Sequence, residues 1–161
     1  MIALRPSPGF VFSHPAHAEA FGFGAGLAPT APGTFGTLLG WVIGLALGAL
    51  HAEAVLLAAF IAFVLGVWAC SVTGRHLGVA DHGGMVWDEV AAFLLVLAVV
   101  PRELPWQLAA FGAFRFFDIA KPPPIRHFER RYHGGFGVMF DDVLAAGYSL
   151  LLLAAVQRLF F

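Results

Sequence analysis

Residues 54–73, AVLLAAFIAFVLGVWACSVT, form a continuous apolar run without a single charge. At about 1.5 Å of helical rise per residue such a run is about 30 Å long, the thickness of a bilayer's hydrocarbon core. Four more apolar runs flank it, at 37–50, 89–100, 105–117 and 143–161, each bounded by Gly, Pro or charge. None alternates, and an open sheet edge cannot face lipid, so the pattern predicts an all-α, multi-pass membrane bundle of about five helices. Only 54–73 and 143–161 approach spanning length. The runs at 89–100 and 105–117 suit helices that are short, tilted or only partly embedded.

Composition agrees, since a chain that is 60% hydrophobic and 12% charged has too little polar surface to wrap a soluble globule. The 161 residues suit one domain, 1–161, without internal repeat or linker. Residues 1–20 carry Pro6, Pro8 and Pro15 but no apolar core; this excludes a cleavable signal peptide and predicts a loosely ordered N-terminal segment. A net charge of −1 provides no field for nucleic acid, the lone Cys70 no disulfide framework, and no protein partner is implied. Gly36, Gly40, Gly44 and Gly48 recur every four residues, a stripe that lets a neighbouring helix approach closely.

Five crossings place 51–53 and 101–104 on one side of the membrane, and the N-terminal segment, 74–88 and 118–142 on the other. The second side carries Arg5, Arg75, Lys121, Arg126, Arg130 and Arg131 against Arg102 and Arg158 on the first, so the positive-inside rule puts it in the cytoplasm. Every unusual motif shares that side.

Five carboxylates mark those motifs. Asp88 and Glu89 follow a His-Gly-Gly turn at the start of a helix, where the dipole favours anions that can bind a hard cation. Neighbours on a helix point about 100° apart, so one is expected on the metal and the other on a water or ligand. Asp118 closes the fourth helix one turn after Arg115, and Pro122, Pro123 and Pro124 then hold Lys121 extended beside it. Arg126, Arg130, Arg131 and His133 add cations, those at 130 and 131 being suited to anionic headgroups. Gly134, Gly135 and Gly137 permit a tight return to Asp141 and Asp142 at the start of the last helix. Asp81 and His82 lie in a loop, where such residues usually form turns.

The segment 22–40, GFGAGLAPTAPGTFGTLLG, lacks the strand and acidic partner of a dinucleotide site. Its Pro32-Gly33-Thr34-Phe35-Gly36-Thr37 portion instead opens a helix. Backbone N–H groups there, with the hydroxyls of Thr34 and Thr37, can meet an anion, while Thr34 can equally serve as the N-cap.

Oxygen ligands without a Cys/His cluster select Mg²⁺ or Mn²⁺ over Zn²⁺. Cations beside them, at a lipid boundary, point to phosphoryl transfer from a lipid phosphate to water. Cys70 and Arg75 have the wrong spacing for a cysteine phosphatase, and no DxDx[TV] nucleophile is present. The spaced acidic pattern of lipid phosphotransferases is absent too. The competing class is a small transporter, whose acids belong near the bilayer midplane rather than at helix ends.

The segments GFGAGLAPTAPGTFGTL, VWDE, FRFFDIAKPPPI and HGGFGVMFDDVLAAG resemble the ordered motifs of the bacterial phosphatidylglycerophosphatase A family, over nearly the whole chain from Phe21. Thr37 stands where that family often has Ser, and Ala91-Ala92 where it has a Gly-containing stretch. The resemblance implies a Mg²⁺-dependent enzyme of the bacterial inner membrane that hydrolyses phosphatidylglycerophosphate to phosphatidylglycerol; hydrolysis of another lipid phosphate is the alternative. It implies Asp88, Glu89, Asp118, Asp141 and Asp142 as the metal and water-activating set, with Asp88, Glu89, Asp118 and Asp142 on the metal and the general base unassigned. Lys121, Gly33, Thr34, Thr37, Arg115, Arg126 and His133 would hold phosphate, and His133 or His82 would protonate the leaving oxygen. In-line attack by an activated water is the preferred mechanism, with a carboxylate nucleophile forming a phosphoaspartate as the alternative.

Overall fold

The computed structural model describes residues 6–48 and 51–160. Arg5, the end of the run at 49–50 and Phe161 lie outside them. The described residues are all-α: α1 (Pro8–Val11), α2 (Pro15–Ala20), a 3₁₀ segment (Gly22–Leu27), α3 (Pro32–Gly48), α4 (Ala52–Leu77), α5 (Trp87–Val99), α6 (Leu104–Ala120), α7 (Ile125–Arg131) and α8 (Gly134–Phe160). Five are long, in the places of the five apolar runs. Only α4 and α8 are long and apolar enough to cross a membrane.

α5 is the axle of the bundle, packed against α3, α4 and α8, with Val90 to Leu94 and Val96 all buried. A helix apolar on every face must sit inside a bundle rather than on its rim. The glycine stripe of α3 is what lets it approach. Gly36 meets Val86, Gly40 meets Val90, and Gly44 meets Leu94 and Leu97, whereas Gly48 faces open space. On the outside, Phe35, Leu38, Val42 and Leu45 of α3, and Leu56, Leu57, Phe60 and Ile61 of α4, are exposed. Exposed apolar surface on this scale is what lipid covers, and the chain is an all-α membrane protein.

Two expectations change. Residues 8–20, expected to be loose, are folded, with α2 packed on α4 and α1 on α2 and the 3₁₀ segment. Ser7 and His14 cap α1 and α2, and Pro8 and Pro15 occupy the first helical positions, where a missing N–H costs nothing. Thr73 Oγ1 then donates to the Ala16 carbonyl at 3.2 Å. The second change concerns the Gly-rich stretch before Asp141, which is helix rather than return loop. Gly134 alone takes a left-handed φ, of 75°, and α8 runs on from it because Gly135 lies flat against α4. A Cβ there would collide with the Val67 carbonyl and Ser71.

Asp141 and Asp142 therefore sit two turns inside α8, about 11 Å along its axis, not at its start. α5, at 13 residues, spans only about 20 Å. The indole Nε1 of Trp87 reaches the Ala62 carbonyl in mid-α4 at 3.0 Å. The first turn of α5 is thus sunk below the ends of its taller neighbours, and the site is a recess.

Candidate active site

Four helices converge on the recess: the first turn of α5, the third of α8, the last of α6 and the first of α3. Asp88, Glu89 and Asp142 each offer a carboxylate oxygen within 4.8 Å of the others. All three are buried; Asp142 is only 2% exposed. Both members of the Asp88–Glu89 pair thus join one group with Asp142, although neighbours on a helix point about 100° apart. Asp88 Oδ1, Glu89 Oε2, Asp141 Oδ1 and Asp142 Oδ2 have no hydrogen-bond partner among the described residues. Unpartnered buried carboxylate oxygens are costly, by several kcal/mol for an uncompensated ion. A hard divalent cation, which takes oxygen ligands at about 2.0–2.6 Å, would satisfy them, so the residues fit such an ion.

Two fixed cations stand beside this triad. Arg115 Nη1 donates to Asp118 Oδ2 at 2.5 Å and approaches Glu89 Oε1 at 3.5 Å. Asp118, expected as a metal ligand, is thereby paired with Arg115 and lies outside the triad, although it neighbours Asp142. Lys121 Nζ donates to Asp141 Oδ2 at 2.5 Å and to Glu129 Oε1 at 3.0 Å. Lys121 ends α6 in the left-handed region at φ 41°, a strain of about 1–3 kcal/mol that directs its side chain across to α8. Burial opposes the ammonium's charge, but Asp141 and then Glu129 outweigh it and hold its pKa above the ordinary lysine value.

The first turn of α3 closes the recess. A Cβ at Gly33 would collide with Glu89 Oε1 and come within 3.0 Å of both Arg115 Nη atoms. Only glycine lets this helix start touch the pair, and it brings the positive end of the α3 dipole to the site. Thr34 lies in that first turn, inside the helix rather than at its N-cap. Thr37 is displaced from the expected phosphate role: fully buried, it donates Oγ1 to the Gly33 carbonyl at 2.9 Å.

Arg126 and His133 are not brought to the carboxylates. Arg126 Nη2 donates to the Ala120 carbonyl at 3.2 Å behind the end of α6, and His133 is exposed ahead of α8. His82 Nδ1 accepts the Gly84 N–H at 3.0 Å, a turn role. Glu129 was missed by sequence reasoning. Its only sequence signal is that it is the sole acid in the cationic stretch RHFERR, which a like-charged neighbourhood makes a natural counter-ion.

The model of the family described as phosphatidylglycerophosphatase A matches residues 18–157. A Haemophilus influenzae protein named phosphatidylglycerophosphatase A is 47% identical over 147 residues, 89% of this chain and 90% of that one. An Escherichia coli protein of the same name is 39% identical over 142 residues, 88% of this chain and 83% of its own. A Bacteroides thetaiotaomicron protein provisionally named a phosphatidylinositol-3-phosphatase is 40% identical over 144 residues, 84% of this chain and 89% of its own. No solved structure matches. The match spans the recess and all the helices that build it, so the chain belongs to the phosphatidylglycerophosphatase A family.

Proposed function

We propose that this protein is a Mg²⁺-dependent lipid phosphomonoesterase. It would remove the terminal phosphate of phosphatidylglycerophosphate, giving phosphatidylglycerol and phosphate, on the cytoplasmic face of the bacterial inner membrane. The observation that carries the reading is the triad of Asp88, Glu89 and Asp142, with buried unpartnered oxygens and two fixed cations beside it. The names of the relatives support the substrate, and the excess of Arg and Lys on the motif-bearing side supports the orientation.

Asp88, Glu89 and Asp142 would hold Mg²⁺, or Mn²⁺ in its place. The bound ion supplies Lewis-acid polarisation and charge neutralisation at the phosphoryl group. The remaining roles belong to this chain's own side chains. The Arg115 guanidinium, with a planar fork of donors, suits two phosphate oxygens and the charge that builds on them. The ammonium of Lys121 adds a point charge, and the α3 start at Gly33 and Thr34 adds dipole and hydroxyl. Asp141, with Oδ1 unpartnered, is positioned to accept a proton from an attacking water while Oδ2 stays on Lys121. The recess limits water around the reacting atoms, which strengthens each of these interactions.

The test is phosphate release by detergent-purified protein with Mg²⁺, and again with excess chelator, on phosphatidylglycerophosphate, phosphatidylinositol 3-phosphate and phosphatidic acid in parallel. Chelator-sensitive release fastest from phosphatidylglycerophosphate supports the proposal. The name of the Bacteroides relative favours the inositol lipid as the second reading, and preference for it would redirect the substrate without touching the metal site. Release that survives chelation would overturn the metal role.

A further inference from the structure

We infer that the apolar cleft between α4, α5 and α8 is a subsite for one acyl chain of the lipid substrate, and that it fixes how the lipid presents its phosphate to the recess. The inference rests on the phosphatase reading above. The cleft measures about 710 Å³, well within the range of pockets that take a small ligand. Small side chains, Ala59 and Ala91, form its floor, and large ones, Phe60 of α4, Leu95 of α5 and Phe140 of α8, rise around them. At one end Phe63 and Phe136 meet edge to face, 6.2 Å between ring centres. At the other stands Glu53, in the first turn of α4, the one charged residue of the lining among the described residues. Phe63 and Glu53 are ten residues apart on α4, so the cleft runs about 15 Å, half the thickness of a hydrocarbon core and the reach of a chain in one leaflet. A gap between helices packed about 8–10 Å apart has the width of a single hydrocarbon chain, and the second chain stays in the bilayer.

Three features select an acyl chain as the occupant. The cleft opens on the lipid-covered face of α4, where Leu57 and Phe60 are 59% and 65% exposed, so hydrocarbon is what reaches it. It also adjoins the carboxylates. Asp88, Ala91 and Leu95, spaced i, i+3 and i+7, share one face of α5, and Phe140 and Val143 flank the Asp141–Asp142 pair in α8. Above its mouth the chemistry follows the order of an anionic lipid. Phe136 stacks on Phe140 at 5.2 Å and meets Tyr132 at 5.7 Å; Tyr132 is an amphipathic ring suited to the headgroup boundary, and the exposed Arg130 and Arg131 precede it. A tail that leaves the bilayer for a cleft gains packing but no hydrophobic energy. What the cleft supplies is therefore position: a chain held at one depth beside α5 restricts where the far end of its headgroup can lie, and such restriction is worth rate.

The test is steady-state phosphate release, with Mg²⁺ in mixed micelles, from phosphatidylglycerophosphate, from its one-chain lyso form and from its deacylated headgroup, glycerophosphoglycerophosphate. Wild type is expected to use the two acylated compounds about equally and the deacylated one less well. Leu95→Trp, which fills the cleft from α5, should lower kcat/KM about tenfold for both acylated compounds and leave the deacylated one unchanged. Leu57→Trp, at an exposed position on the rim, should act in the same direction. Val42→Trp, on α3 outside the cleft and 63% exposed, should change none of the three. Equal losses on acylated and deacylated compounds, no loss in either cleft variant, or a wild type that needs both chains overturns the inference. So does a change of oligomeric state in Leu57→Trp, which would make the cleft a contact between copies of the chain. An active wild type with unresponsive variants overturns only the role of the cleft, whereas a wild type that releases phosphate from none of the three compounds overturns the phosphatase reading with it.

Discussion

Arg115 closes on Asp118 at 2.5 Å one turn along α6 while its other reach, 3.5 Å to Glu89, crosses to α5. One guanidinium thus links the end of α6 to Glu89 of the carboxylate triad on α5. The side chains of Arg115, Asp118 and Glu89 are all nearly buried, so the link is rigid and poorly screened. Lysine would keep the charge but lose the planar fork that offers paired donors to two phosphate oxygens. Arg115→Lys is expected to lower kcat/KM about 10²- to 10³-fold, the usual scale for losing a donor to transition-state charge. Steady-state assays at saturating Mg²⁺ check this, and an effect below tenfold would remove Arg115 from phosphate binding.

The unpartnered oxygens of Asp88, Glu89 and Asp142 make a thermodynamic prediction that needs no substrate. A ligand that binds only the folded state stabilises it, by about 2.7 kcal/mol at a hundred times its dissociation constant. Thermal unfolding of wild type should shift upward with Mg²⁺ concentration. Asp142→Asn removes one buried charge from the cluster, so in chelator it should unfold at a higher temperature than wild type and respond weakly to Mg²⁺. Equal Mg²⁺ responses in the two proteins would mean that the triad does not hold the ion.

Much of this site was legible in the sequence, for identifiable reasons. Arg115 and Asp118 are three residues apart on a helix, a spacing that brings side chains together whatever the fold. The alternating of apolar runs with acid-bearing connections gave the phase that puts Asp88, Asp118 and Asp142 on one side of the bundle. Two facts had no local signal. Glu89 joins Asp88 and Asp142 in one group because α5 packs against α8, and Thr37 turns inward because α3 leans on α5 at Gly36 and Gly40. The start of α8 differs because glycines suggest a turn, and only the contact of Gly135 with Val67 and Ser71 shows that it serves close packing. The N-terminal helices were hidden by three prolines, which look like breakers until two of them occupy first helical positions.

Gly33 offers the sharpest single-atom test. A methyl group there meets Glu89 Oε1 and both Arg115 Nη atoms, so Gly33→Ala must push apart the start of α3 and the Glu89–Arg115 pair. The atoms it meets are the far ends of side chains rather than backbone, so the variant should fold with a near-normal unfolding temperature. A displacement of about 1 Å at positioned groups can cost about 10²-fold in rate. Gly33→Ala is expected to lose activity on that scale, and full activity would place the phosphate elsewhere than the α3 start.

The N-terminal cap should make stability depend on pH through His17. Its ring is buried between α2 and α4, with Nδ1 3.2 Å from the Phe10 carbonyl and Nε2 2.8 Å from His76 Nδ1. A carbonyl only accepts, so Nδ1 carries the proton, and in the neutral ring Nε2 is then the acceptor and His76 Nδ1 the donor. Burial lowers the His17 pKa below its ordinary 6.5, and the neighbouring His76 and His14 add to this against the Phe10 carbonyl. The folded pKa is the lower one, so the unfolded chain binds the proton first. The stabilising contribution is complete above the unfolded value and is lost as pH falls through the folded value. Unfolding temperature should therefore drop between pH 7.5 and 5 in wild type and drop less in His17→Gln, whose amide retains hydrogen bonding but cannot titrate. Parallel pH profiles for the two proteins would show that the docking of α1 and α2 on α4 does not depend on the charge state of His17.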